Sequence, residues 1–283
     1  MGPSAVRVAG LVPRLEGLGY EVKDAGNVEA AFAEQKNIGD PKAKYLKEIA
    51  RSCQKQADWV KKTLEDGALP LVLGGDHSIA VGTVSGVSAY FRAREKSVGL
   101  IWLDAHGDFN TPETTPTGNI HGMPLACVTG RGPKELTELF GFAPKVLPAN
   151  TVLVGVHDVD RGESRLLREA GVKTFTMRDI DERGMRSVVE EAIAIASNGT
   201  EGFCVSLDLD FIDATHAPGV GTPVRGGATY REAHLALELI SDSNGLVSLE
   251  VVEVNPVLDE RNRTAELAVE LIASALGKKI LQG

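Results

Sequence analysis

Three short segments carry acidic and imidazole side chains at spacings that suit metal chemistry. Leu71-Val72-Leu73 runs into Gly74-Gly75-Asp76-His77-Ser78, Leu100-Ile101-Trp102-Leu103 into Asp104-Ala105-His106-Gly107-Asp108, and Val205-Ser206-Leu207 into Asp208-Leu209-Asp210. Residues two apart on an extended chain point to one side, so Asp104, His106 and Asp108 are expected to form one set and Asp208 and Asp210 another. Carboxylates this close repel, and without a cation some must hold protons. Oxygen and imidazole donors without thiolate suit Mn, Zn, Fe or Co, and the excess of carboxylate favours Mn. Together with His77 these donors are too many for one tetrahedral zinc, and they suit two ions roughly 3.5–4 Å apart that share bridging carboxylates. Two divalent ions would cancel the four aspartates, and a hydroxide held between them would leave the site negative, which favours a cationic substrate.

The elements that must hold these residues follow from the hydrophobic pattern. Runs at 69–73, 98–103, 151–156, 203–209 and 246–254 are short, rich in β-branched residues and nearly all apolar, as expected of strands buried on both faces. Helical stretches are expected at 79–94, 162–170, 179–198, 230–242 and 262–281, and a long polar one at 41–65 with Asp40-Pro41 as its cap and first turn. The alternation predicts a three-layer α/β/α fold with a mainly parallel central sheet. In such sheets ligands bind beyond the carboxyl ends of the strands, where the acidic segments fall. The connection from Gly107 to Gly122 is long, polar and Thr-rich, more typical of a functional loop than of a plain link.

Composition narrows the classes further. The 283 residues are 43% hydrophobic and 24% charged, which excludes a disordered or collagen-like chain. No repeat or linker-like stretch divides the sequence, so one domain over 1–283 is expected. The net charge of −9 disfavours nucleic acid and anionic membranes as partners. No apolar run approaches the ~18 residues of a membrane span. The opening Met1-Gly2-Pro3 lacks a leader pattern and Val6 replaces the hydroxyl residue of an acylation motif, so the cytoplasm is the expected location. Cys53, Cys127 and Cys204 lie far apart without metal-ligand spacing and are expected to be reduced, buried thiols.

Taken together, the segments Gly74–Ser78, Asp104–Asp108 and Ser206–Asp210 resemble the three signatures of the arginase/agmatinase ureohydrolases. The resemblance implies one metal held by His77, Asp104, Asp108 and Asp208 and another by His106, Asp104, Asp208 and Asp210, with Asp104 and Asp208 bridging. It implies two Mn2+ per chain, with Co2+, Fe2+ or Zn2+ as possible substitutes. The loop from Asn110 through His121 is similar to that of arginases rather than agmatinases. By that likeness Asn110, Thr117 and Asn119 hold a substrate α-carboxylate, and His121 matches a loop histidine proposed as a proton shuttle. Thr117 stands where arginases generally have Ser, which keeps the hydroxyl and adds a methyl.

Other segments extend the likeness. Val156–Glu163 resembles the arginase stretch whose second Asp, here Asp160, binds the α-amino group with help from Glu163, although acidic residues also favour helix starts for their own sake. Glu253 is expected inside the apolar strand 246–254, where an acid needs a partner, and the resemblance makes it the carboxylate that pairs with the guanidinium. The loop Ala217–Pro223 would bring Thr222 near that group. Arg231-Glu232 resembles a pair used at arginase subunit contacts, and a homo-oligomer, trimer or hexamer, is implied. His157, His216 and His234 receive no role.

The implied activity is hydrolysis of L-arginine to L-ornithine and urea by attack of metal-bound hydroxide on the guanidinium carbon, with Asp210 or a metal-bound water passing a proton to the leaving amine. The alternatives are an agmatinase or another guanidino-acid ureohydrolase, or a non-catalytic oligomeric scaffold of the same fold. One departure stands out. The family's Gly-Pro-x-x-x-Arg segment follows an opening strand and a Gly-rich loop, whereas here it is Gly2–Arg7. That strand is expected to be absent from the sheet interior, leaving two neighbours with unpaired backbone groups.

Overall fold

The computed structural model describes residues 1–279 and Leu281. Gly2–Arg7, expected near a missing strand, is helical: α1 (Gly2–Val8) and α2 (Leu11–Glu16) are separated by Gly10, which takes a left-handed φ of 88° that a side chain would resist. An irregular stretch leads to a small hairpin of β1 (Gly39–Asp40) and β2 (Ala43–Lys44). The long helix α3 (Leu46–Glu65) therefore starts later than Pro41. Asp40 Oδ1 accepts the Lys42 amide at 2.8 Å, an Asx turn that puts Pro41 in the hairpin bend instead of the first helical turn. Cys53, Gln56, Ala57 and Val60 form the buried stripe of α3.

β3 (Leu71–Leu73) is followed by a turn and by α4 (Ala80–Arg92), which is buried from Ala80 to Ala89 between α3 and the sheet. Small residues allow this: a Cβ added at Gly82 would lie 2.8 Å from the Cys53 carbonyl oxygen. Next come β4 (Gly99–Leu103), the short helices α5 (Pro124–Val128) and α6 (Lys134–Thr137), β5 (Thr151–Val156) and α7 (Arg161–Ala170). The sequence pattern missed β6 (Lys173–Thr176), where Phe175 alone is buried and Lys173 is exposed. That is the pattern of an edge strand, not of a run buried on both faces.

The helix expected over 179–198 is two helices, α8 (Met177–Arg183) and α9 (Met185–Ala196), divided at Gly184 with φ 79°. β7 (Phe203–Asp208), α10 (Tyr230–Asp242), β8 (Leu246–Val252) and α11 (Arg263–Ala275) complete the chain. The last helix stops short of 281, with Gly277 left-handed at φ 89°; Ile280, within the expected span, lies outside the described residues.

The sheet order is β3-β8-β7-β4-β5-β6, and every neighbouring pair is parallel. The expected interior gap is not found: β8, β7, β4 and β5 each pair on both sides, and only β3 and β6 stand at edges. One apolar core joins α9, α10 and α11 to one face of the sheet, and a second joins α4, α5 and α7 to the other, which is the three-layer α/β/α architecture. All three cysteines are free and buried, and burial pushes the Cys127 and Cys204 thiols up to about 12. Among the described residues no helix is long and apolar enough to cross a membrane.

Candidate metal centre

From β4 the chain winds outward through β5 to β6, and from β7 it winds the other way to β8. The carboxyl ends of β4 and β7 therefore flank the point where the winding reverses, the place in an open parallel sheet where a crevice forms. Asp104 and Asp208 sit at these two ends.

Beyond them the chain is not extended, contrary to the expected two-residue alternation. Asp104 Oδ1 accepts the His106 amide at 2.7 Å and Asp208 Oδ1 accepts the Asp210 amide at 2.8 Å. These Asx turns curl each segment over the strand end, and Asp108 takes a left-handed φ of 47°. The residues of each set consequently face different neighbours. His77 Nδ1 lies 3.1 Å from Asp104 Oδ2, 3.1 Å from Asp108 Oδ2 and 3.2 Å from Asp208 Oδ2. His106 Nδ1 lies 3.1 Å from Asp210 Oδ2 and 3.5 Å from Asp104 Oδ1. Among the described residues two groups could hold a metal ion: His77, Asp104 and Asp208, and Asp104, His106 and Asp210. Asp104 is common to both; Asp208 belongs to the first only, and Asp108 approaches that group through His77.

The electrostatics call for cations. Burial and the neighbouring Asp104 charge push the Asp108 carboxyl up to about 6. Asp208 rises well above the carboxylate range through burial and the charges of Asp210 and Asp104, and Asp210 rises for the same kind of reason. Burial opposes charge on His106, but Asp104 and Asp210 raise it to about 12. Burial likewise opposes charge on His77, and Asp104, Asp108 and Asp208 more than reverse that. Such carboxylates retain protons unless positive charge replaces them.

Hydrogen bonding around His77 tests whether a metal fits. Ser206 Oγ donates to Glu250 Oε1 at 2.6 Å, which leaves it to accept from His77 Nε2 at 2.8 Å. With one proton fixed on Nε2, a divalent ion can take the place of a second proton at Nδ1, the ring nitrogen that faces three carboxylates. That Nδ1 and Asp108 Oδ2 are buried without hydrogen-bond partners among the described residues. Unpartnered polar groups converging at ~3 Å are costly alone and become ligands around a divalent ion. The residues fit the metal pair.

Sequence reasoning missed the residues that hold these ligands. Trp102 stacks on the His77 ring, centroids 4.0 Å apart, and donates Nε1 to Asp104 Oδ2 at 2.8 Å. Its place two residues before Asp104 was the available signal, because strand neighbours at that spacing share a face. Glu250 is fully buried, with Thr83 Oγ1 donating to Oε2 and Gln56 Nε2 donating to Thr83 Oγ1 at 2.6 Å. Glu250, not Glu253, is the acid inside the apolar strand. β8 ends at Val252, and Glu253 is the first residue beyond it, at φ 64°. There its Oε1 accepts the His77 amide at 2.9 Å and lies 3.6 Å from His121 Nδ1. Glu253 raises the His121 pKa, against a smaller opposing effect of burial. Left-handed conformations at both Asp108 and Glu253 are strain of the kind that collects at functional sites.

A cleft opens above the cluster, lined by His77, Asp208 and Asp210 together with His121, Glu253 and Thr222. Thr222 Oγ1 donates to Asp210 Oδ2 at 3.2 Å. Thr117, Asp160 and Asp158, which the sequence reading left without a role, line the cleft on its exposed side with half-buried Asn119, and Asn110 and Glu163 are buried behind them. Asn110 Nδ2 donates to Asp160 Oδ2 at 3.1 Å and its Oδ1 accepts from Thr114 Oγ1 at 2.9 Å. Thr117 Oγ1 accepts the Asn119 amide at 3.1 Å. Asp160 and Glu163 form the capping box of α7, so the helix-start role and the place at the cleft coexist. Glu163 is also buried under the ligand loop, accepting the Phe109 amide at 2.7 Å, and burial pushes its carboxyl up to about 8. Away from the cleft, Glu232 serves the capping box of α10, His234 Nδ1 meets Ser274 Oγ at 2.8 Å, and His216 is exposed.

The model of the Arginase family matches residues 1–277. The arginase of Bacillus caldovelox is 49% identical over 282 residues, covering 99% of this chain and 93% of that protein. Its native structure at pH 5.6 superposes with a TM-score of 0.95, over the same shares of both chains. The structure of Entamoeba histolytica arginase in complex with L-ornithine is 31% identical, with a TM-score of 0.87 over 98% of this chain and 92% of that one.

Proposed function

The chain belongs to the arginase family of hydrolases, and we propose that it hydrolyses L-arginine to L-ornithine and urea with two Mn2+ per chain. The observation that carries this reading is the two-ended cleft. At one end is a buried cluster of carboxylate and imidazole donors, and the exposed side offers amide, hydroxyl and carboxylate groups suited to an α-amino acid. The relative solved with L-ornithine supports the same choice of substrate end.

In this proposal His77, Asp104, Asp108 and Asp208 hold one ion and His106, Asp104, Asp208 and Asp210 the other. When bound, the ions acidify water towards neutral pKa and so supply the nucleophile at physiological pH. Glu253 receives the guanidinium, whose planar fork suits a carboxylate. Its Oε1 is already fixed by the His77 amide, so the acceptor is placed before substrate arrives. Thr222 steadies Asp210 beside it, and in this reading Asp210 would take up the proton that the attacking water releases and pass it to the leaving amine. His121, half-buried between Glu253 and solvent, holds an exchangeable proton at Nδ1. Asn110, Thr117 and Asn119 take the α-carboxylate, and Asp160 with Glu163 takes the α-amino group. A cytoplasmic homo-oligomer, trimer or hexamer, completes the proposal; Arg231 projects from the start of α10 with its side chain 62% exposed.

Urea release from L-arginine, agmatine and guanidinobutyrate, each with and without Mn2+, tests the reading. L-arginine with Mn2+ should be fastest. Faster hydrolysis of agmatine at equal concentration would overturn the choice of substrate. Less than about one transition ion per chain after Mn2+ loading, with no urea formed, would leave a scaffold.

A further inference from the structure

The hairpin of β1 and β2 is pressed against the loop that forms the mouth of the cleft. Lys44 N donates to Gly118 O at 2.9 Å and Lys42 Nζ donates to Thr115 O at 3.0 Å. Gly118 is left-handed at φ 79°, and a Cβ there would collide with the Pro41 carbonyl oxygen. Loop and hairpin therefore approach to backbone contact, and Lys44 Nζ reaches Asn119 Oδ1 at 3.1 Å.

We propose that Lys44 is the specificity-determining positioning residue of the carboxylate end of the cleft. The ammonium has three donors and no acceptor, so it accepts only the oxygen end of the Asn119 amide as its neighbour. With Oδ1 held, the Asn119 Nδ2 hydrogens are the free end presented to the cleft that Asn119 lines. A carboxylate accepts from that end; the flipped amide would repel it. Lys44 also has no carboxylate within 4.0 Å among the described residues. Its charge therefore stays available beside a cleft otherwise lined by Asp108, Asp158, Asp160, Glu163 and Glu253. The guanidinium end of the substrate meets anions, and its carboxylate end meets the side where the Lys44 ammonium stands behind Asn119. This assignment rests on the arginine reading of the cleft.

The test compares Lys44→Met, which keeps the stem and removes charge and donors, with Lys44→Arg, which keeps both. Steady-state kinetics with L-arginine are read beside the competitive inhibition constant of agmatine, which has the guanidinium and lacks the carboxylate. In Lys44→Met the KM for L-arginine should rise roughly tenfold, the worth of a charge-assisted hydrogen bond, with kcat within about twofold. The agmatine constant should stay unchanged, the rise in KM should shrink at high salt, and Lys44→Arg should restore the KM. An unchanged arginine KM in Lys44→Met, or an equal loss of agmatine binding, would overturn the proposal. Asn119→Ala separates the two levels. If it raises the arginine KM and Lys44→Met does not, the role of Lys44 alone falls. If neither does and the parent enzyme prefers agmatine, the arginine reading falls and takes the role of Lys44 with it.

Discussion

Ser206→Ala removes one hydroxyl that links a metal-facing imidazole to a buried acid. The hydroxyl accepts from His77 Nε2 at 2.8 Å and donates to Glu250 Oε1 at 2.6 Å, and all three residues are no more than 1% exposed. Alanine leaves the imidazole N–H and one carboxylate oxygen without partners in a space too dry to replace them. Each buried group so stranded costs about 1–3 kcal/mol. Glu250 keeps Thr83 at its other oxygen, which places the metal-free loss near the lower half of the combined range, about 2–4 kcal/mol. A second effect is separable from this one. Without Ser206 nothing fixes the proton on Nε2, so Nδ1 is no longer kept available for an ion beside Asp104, Asp108 and Asp208. Losing such a partner behind a metal-bound imidazole typically weakens metal binding about 10–100-fold. Urea denaturation of the metal-free protein measures the first quantity, and Mn2+ occupancy by equilibrium dialysis with elemental analysis measures the second. The reasoning fails if Ser206→Ala binds Mn2+ within twofold of the parent while its stability falls, because the chain to Glu250 would then be packing alone.

Asp104→Ala deletes a residue common to both ligand groups, so metal content should fall to near zero at both sites together with urea production; retention of one full ion per chain would show that the groups are independent. Asp160→Ala should lower kcat/KM for L-arginine roughly 10- to 100-fold through loss of a charged hydrogen bond, and should also cost about 1 kcal/mol as a lost helix cap; kinetics and thermal melting read the two effects separately. Glu163 carries a carboxyl raised to about 8 by burial. A raised carboxyl contributes stability that is complete below its unfolded pKa, and that is lost as pH climbs through the folded value, at up to about 1.4 kcal/mol per pH unit. Metal-free Glu163→Gln cannot ionise, so it should lose less stability between pH 5 and pH 8 than the parent; parallel urea midpoints across that range would contradict the burial argument.

The metal-facing residues were legible because their cause is local. Each stands within a few residues of the end of an apolar run, and runs buried on both faces announce a parallel sheet by composition alone. The same local logic placed β5 and α10 to the residue and kept the cysteines as buried thiols. It failed where a side-chain turn or a long-range contact set the outcome. Whether Asp104, His106 and Asp108 share one side depended on turns closed by their own carboxylates beyond the strand. Whether Glu250 or Glu253 was the buried acid depended on where the ladder with β7 ended.

The sequence by itself determined which donors this protein has, their charge, and the sheet that carries them, because residue type and hydrophobic period are properties of the chain. Only the tertiary structure decided which donors meet. His77 and Asp208 come together because β8 and β7 lie between β3 and β4. His77 receives its orientation from Trp102, Ser206 and Glu250 on three neighbouring strands. Lys44 reaches Asn119 because a hairpin that reads locally as a helix start is pinned to the loop at the mouth. These contacts bind residues distant in sequence, and no periodicity within one segment encodes the partner found across the sheet.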